Sequence, residues 1–182
     1  DPYAFANVTK PEDYKAFLAG EEKNAAHIFG AHERTVNGVK GVLFNVWAPK
    51  ALSVSVVGEF NKYDGRVHLM ERIEDTGVFE LFIPGLAAGC GYMYEIKRQG
   101  KGTTRKLDPV SRQISSVPIT ASVVSDENMS DSYAWNDGLW MIKRKKEAGK
   151  KKPVTVYEVS LTDWLKEKSA DELVDFVKQE GY

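Results

Sequence analysis

Tyr63 stands two residues after Asn61 and beside Lys62 in the stretch SVVGEFNKYDG, Ser55 to Gly65. The pair Asp64-Gly65 marks a turn, and turns are ordinarily built from polar or conformationally free residues, so an aromatic ring here is out of place. An aromatic face beside a carboxamide and an ammonium group suits a ligand with flat C–H patches framed by hydroxyls, the chemistry of a sugar ring. Tyr63, Asn61 and Lys62 are therefore the candidate carbohydrate-binding residues. In the competing reading, Tyr63 folds back over the end of a sheet and caps the core.

No other grouping carries comparable chemistry. His27, His32 and His68 fall on separate elements without ligand-like spacing, so no metal site is expected. Glu71, Glu74 and Asp75 read as a solvated hairpin, and no glycine-rich phosphate loop is present, so no cofactor is expected. The basic run from Lys143 to Lys152 lacks interleaved aromatics and reads as a solvated helix or linker.

Composition excludes several classes of partner. There are 25 basic against 26 acidic side chains, a net charge of -1, so no global field favours nucleic acid. No run approaches the roughly 18 apolar residues of a membrane span, and no signal-peptide core follows Asp1, which points to the cytoplasm and to no membrane partner. The single cysteine, Cys90, excludes an internal disulfide framework and reads as a buried apolar thiol. An opening Asp1-Pro2 in place of methionine predicts a fragment at this end.

The elements that must position Tyr63 are strands. From Val39 the apolar pattern has a period of two: in GVKGVLFNVWAP, Val42, Phe44, Val46 and Ala48 share one face and Leu43, Asn45 and Trp47 the other. LSVSVVGEF, HLMERIE, GVFELFIPG, YMYEIKRQG and ITASVVS follow, separated by turn signals and without intervening helices. This predicts an antiparallel β-sandwich over residues 38–125.

Helical patterns flank it. Residues 1–37 read as an N-terminal helical segment, with Thr9 and Glu12 as a capping box and Tyr14, Phe17 and Leu18 on one face before Gly20. Residues 126–152 read as a linker. Beyond Pro153, VTVYEVSL has the continuous apolarity of a strand buried on both faces. SADELVDFVKQEGY then opens with the capping box Ser169 to Glu172 and ends at Gly181. Strand, loop and helix make the first half of a βαβ unit over residues 153–182. Trp47, Trp135 and Trp140 are expected to pack the sandwich and its seam with this unit.

DPYAF, GVLFNVWAPKALSVSVVGEFNKYDG, GVFELFIPGL, YMYEI, LDPVSRQ, TASVV, YAWNDGLWM and VYEVSLTDW resemble, in order and spacing, the N-terminal part of bacterial 1,4-α-glucan (glycogen) branching enzymes. Trp-Ala-Pro followed by Gly-acid-Phe-Asn is similar to the carbohydrate-binding module 48 type of sandwich, the isoamylase N-terminal domain. The resemblance implies an immunoglobulin-like fold followed by the first β/α unit of a (β/α)₈ barrel. It also implies a cytoplasmic parent of the α-amylase superfamily that cuts α-1,4-glucan and rejoins the piece through an α-1,6 bond. The partners implied are α-1,4-glucan or glycogen and the remainder of the catalytic barrel. In that family a nucleophilic Asp and an acid–base Glu belong to later barrel strands, so no catalytic residue is expected in this chain and it should be inactive alone.

The chain departs from the family pattern at several places. Tyr63 stands where Trp is usual and Glu59 where Asp is usual; Met93 stands where starch-binding relatives have Lys, and Arg105 lies near an expected aromatic. Ser160 replaces a frequent His near the first barrel strand. Other readings are an accessory domain of a debranching isoamylase or trehalose-releasing hydrolase, a free-standing glycan-binding module, or a structural domain without a ligand.

Overall fold

The computed structural model describes residues 1–126, 134–149 and 155–181. The chain divides into two units, Asp1–Ala134 and Trp135–Tyr182.

The first unit holds the strands β1 (Gly30–Val36), β2 (Val39–Trp47), β3 (Ala51–Val57), β4 (Glu71–Ile73), β5 (Val78–Pro84), β6 (Gly91–Arg98), β7 (Lys101–Lys106), β8 (Gln113–Ser115) and β9 (Ala121–Val123). One sheet has the order β1-β2-β5-β4 and the other β3-β6-β9-β8, with β7 also on β6. All pairs are antiparallel. β3 runs along one edge of β6, while β9 takes Gly91 and Tyr92 and β7 takes Tyr94 to Arg98. The mainly β, two-sheet architecture expected from the alternating pattern is present. The alternation in β2 explains it, because Val42, Phe44 and Val46 meet Val54, Val56, Tyr92 and Tyr94 of the facing sheet in one apolar core.

Two expectations for the N-terminal segment need correction. Residues 30–36 form β1 and not a helix. They pair with β2 through the turn Asn37-Gly38, whose positive φ angles of 50° and 80° are those that an Asn-Gly hairpin turn requires. The capping box also lies one residue later than Thr9 and Glu12. The Lys10 N–H donates to the Asp13 carboxylate at 2.8 Å, ahead of a 3₁₀ turn over Pro11–Tyr14 that runs into the short helix α1, Lys15–Leu18.

Thr9 is unavailable as a cap because it is bound elsewhere. Its hydroxyl donates to Glu80 Oε2, and Val8 N–H donates to Glu80 Oε1 at 2.6 Å. Asn45 Nδ2 donates to the same carboxylate at 2.8 Å and to the Tyr14 hydroxyl at 2.7 Å. Glu80, Asn45 and Tyr14 are all buried. The outer face of the β2–β5 pair is thus covered by residues 5–14, with Phe5 edge-on to Phe82 at 4.9 Å. Buried charge is tolerated there because every oxygen of Glu80 has a donor. Burial, opposed by the hydrogen bond with Thr9, pushes the Tyr14 phenol up to about 12.

The second unit contains α2 (Gly138–Glu147), α3 (Leu161–Trp164) and α4 (Ala170–Gln179). The capping box of α4 is as expected: Ser169 N–H donates to Glu172 Oε2 at 2.7 Å, and Glu172 N–H to Ser169 Oγ at 3.2 Å. Phe176 packs near Trp164 and Tyr157 at 5.5 and 5.7 Å between ring centres. The expected strand is absent over residues 155–160, which pair with no strand among the described residues. A strand needs a neighbour to complete its ladder, and helices supply none. Residues 127–133 and 150–152 of the linker, the latter with the end of the basic run, lie outside the described residues, whereas Lys143 to Lys146 lie on α2. Trp135 and Trp140 are exposed, and Arg144 lies over the Trp140 ring at 5.4 Å. Trp47 is half-exposed, with Phe17 edge-on to it.

Candidate functional site

The end of β3 delivers the site. After Val57 the chain turns through the 3₁₀ segment Glu59–Asn61, and then Lys62 and Tyr63 both adopt left-handed backbone, at φ 55° and 58°. Two consecutive non-glycine residues in this region cost roughly 1 kcal/mol each, so the loop needs outside support.

Asn61 supplies much of it. Its Oδ1 accepts from Gly58 N–H at 2.9 Å, and its Nδ2 donates to Val56 O at 2.9 Å and to His68 Nδ1 at 2.9 Å. The side chain is buried and both of its donors are used, so Asn61 positions the loop from beneath and has no N–H left to offer a ligand. This revises its place among the three sequence candidates. The two backbone partners also fix the orientation of the carboxamide, which leaves His68 Nδ1 as an acceptor, hence unprotonated. Burial pushes the His68 pKa down.

Lys62 is exposed and Tyr63 half-buried. One part of the Tyr63 side chain rests on a small apolar cluster of Val57, Met93 and Ala121, with Leu107 alongside. Met93 lies on the opposite face of β6 from the core residues Tyr92 and Tyr94 and is almost fully buried in this cluster, which places it under the ring. The Tyr63 N–H donates to Gly58 O at 2.9 Å. Next in the chain, Asp64 closes the turn on Arg66 at 2.7 Å, and the hydrogen bonds from Arg66 lower the Asp64 carboxyl to about 2.

Sequence reasoning named Arg105 only as a departure from a pattern and did not single out Glu95. They face each other across the β6–β7 pair, and Arg105 Nε donates to Glu95 Oε2 at 3.0 Å. Arg105 Nη2 donates to the Tyr63 carbonyl at 2.9 Å, and its guanidinium carbon lies 5.8 Å from the centre of the Tyr63 ring. The ring, the guanidinium and a carboxylate form a surface that both donates and accepts hydrogen bonds, and the exposed Lys62 is the next residue in the chain to Tyr63. Such a surface recognises hydroxyls, and it contains no nucleophile paired with a base. Among the described residues no cluster of three or more His, Cys, Asp or Glu side chains is arranged to hold a metal ion.

The model of carbohydrate-binding module 48, the isoamylase N-terminal domain, matches residues 28–111. Those residues are similar to that family. The matched stretch takes in β1 to β7 of the module, and with them Tyr63, Glu95 and Arg105, while residues 1–27 and the pair β8–β9 lie outside it.

The chain containing the module is similar throughout to 1,4-alpha-glucan branching enzyme GlgB of Methylococcus capsulatus, with 40% identity over 100% of this chain and 26% of the relative. It is 45% identical to GlgB of Thermosynechococcus vestitus over 91% of this chain and 21% of the relative. The chain therefore spans about a quarter of the length of these curated relatives. Among solved structures, ligand-free PulA from Klebsiella pneumoniae matches with a TM-score of 0.46 and 25% identity, over 66% of this chain and 12% of that one. No helix among the described residues is long and apolar enough to cross a membrane.

Proposed function

We propose that this chain is the non-catalytic N-terminal section of a cytoplasmic 1,4-α-glucan branching enzyme, and that its module holds α-1,4-glucan against the surface around Tyr63. The parent cleaves an α-1,4 bond and rejoins the piece through an α-1,6 bond, with catalytic carboxylates outside this chain. Residues 153–182 are the segment that opens the (β/α)₈ barrel of the parent, whose first strand forms only with the neighbouring strands of that barrel, and residues 126–152 are the linker. The observation that carries this reading is likeness to branching enzymes over the full chain, including the part beyond the matched module.

Two features support its parts. Val156, Leu161, Leu165 and Val174 of the second unit are each at least half exposed, as apolar residues of a barrel segment without its neighbours would be. The Tyr63 ring is the aromatic of the module held at a loop surface by left-handed backbone.

The test is calorimetric or NMR titration of maltoheptaose into the chain and into Tyr63→Ala. A stacked ring contributes about 1 kcal/mol, so the variant should bind roughly fivefold more weakly. Equal affinities would remove Tyr63 from the site, and no affinity in either would leave a purely structural module. Incubated with amylose, the isolated chain should change neither the iodine absorption nor the reducing-end count.

A further inference from the structure

We infer that Arg105, aimed by Glu95, is both a glucan-contacting residue and the clamp that holds the Tyr63 loop in its binding conformation; this rests on the reading of Tyr63 given above. The bland alternative is a surface ion pair, which contributes little to stability and has no reason to be tied to anything else.

The geometry argues against that alternative. Arg105 reaches 42 residues back along the chain to the carbonyl of a residue held in left-handed backbone. A side chain that secures an unfavourable conformation points to a use for that conformation. β7 itself gives no packing reason for arginine, because none of its side chains is buried.

The remaining donors define the ligand. A guanidinium has five N–H groups in a fixed plane. One bonds Glu95 and one the Tyr63 carbonyl, and about half of the side chain is exposed, at 47%. The N–H groups left over lie beside the ring, where they reach the hydroxyls of a sugar stacked there. Glu95 contributes an acceptor at the same place. The carboxylate paired with the guanidinium largely offsets its charge and adds acceptors to its donors, which suits a neutral polyhydroxylated chain, whose hydroxyls donate as readily as they accept.

Gly65 offers a way to disturb the pair without touching Tyr63. A Cβ there would come within 2.0 Å of Glu95 Oε1, and Gly65 has no left-handed φ, so alanine is accommodated by displacing the carboxylate.

The experiment is an NMR titration of the full chain with maltoheptaose, following the Arg105 Nε–H signal and the Tyr63 amide. Both should shift with one dissociation constant. Arg105→Ala should bind about tenfold more weakly, the worth of one charge-assisted hydrogen bond. Arg105→Lys should recover only part of that, and Gly65→Ala should weaken binding while leaving the thermal transition in place. A wild-type chain that binds while the Arg105 signal stays still, or an Arg105→Ala variant with unchanged affinity, would overturn this inference and leave Tyr63 standing. Absence of any wild-type binding would overturn both.

Discussion

The carboxamide of Asn61 donates to His68 Nδ1 at 2.9 Å, and the same carboxamide holds Gly58 N–H and Val56 O. A protonated His68 would turn an acceptor into a donor facing a donor. Titratable or charged groups on the neighbouring elements are Glu59, Lys62, Asp64, Arg66, Glu71 and Glu95, yet burial alone lowers the His68 pKa. The folded state thus prefers neutral His68. Its contribution is fully present above the ordinary value of 6.5 and is lost as pH falls through the lower folded pKa. Imidazole ¹⁵N shifts should show the Nε2–H tautomer and a midpoint below 6.5, with the Tyr63 amide moving in step. An Nδ1–H tautomer would refute the pairing.

Asn61→Ala should act on affinity without Asn61 touching sugar. It leaves Gly58 N–H and Val56 O without buried partners, a loss of about 1–3 kcal/mol in urea unfolding. Glucan binding should weaken as the Tyr63 loop loosens. Stability unchanged within error would show that the loop is held by other contacts.

Glu80→Ala should be more damaging than its place on the outer face of a sheet suggests. The carboxylate is the common acceptor for Val8, Thr9 and Asn45, so its removal frees the N-terminal segment and strands a buried amide. A loss of roughly 2–4 kcal/mol is expected, with Tyr14→Phe costing about 1–2 kcal/mol through its hydroxyl alone. Limited proteolysis should cut Glu80→Ala first between residues 5 and 14.

Amides of α4 should exchange with deuterium orders of magnitude faster than those of β2 and β5. No described residue after Trp135 is buried, whereas β2 carries six buried positions in its nine. Comparable protection in both would show that the second unit is far more stable than its burial implies.

The sandwich was readable because its strands alternate with a period of two around one apolar face, as in Val42, Phe44 and Val46. β1 was missed although Val36-Asn37-Gly38-Val39 is a strong hairpin signal, since the polar run HERT hid the strand before it. The second face of β2 gave no sign of its cover: Asn45 is bonded to Tyr14, 31 residues away, and local patterning does not report such a contact. At the site, Tyr63 and Lys62 stood out as residues unusual for their turn. Asn61 looked the same in sequence, yet its short side chain was drawn inward by backbone groups. Glu95 and Arg105 gave no local signal, because what brings them to Tyr63 is strand register.

The way residues 5–14 lie across β2 and β5 bears on anyone wishing to graft this domain onto another protein. A cassette trimmed to the recognisable family boundaries, residues 28–111, would leave Glu80 and Phe82 facing water on one side and omit the β8–β9 ribbon on the other. The transplantable part begins well upstream of the homologous core, and a soluble, well-behaved fusion should need that leading stretch as much as the strands themselves.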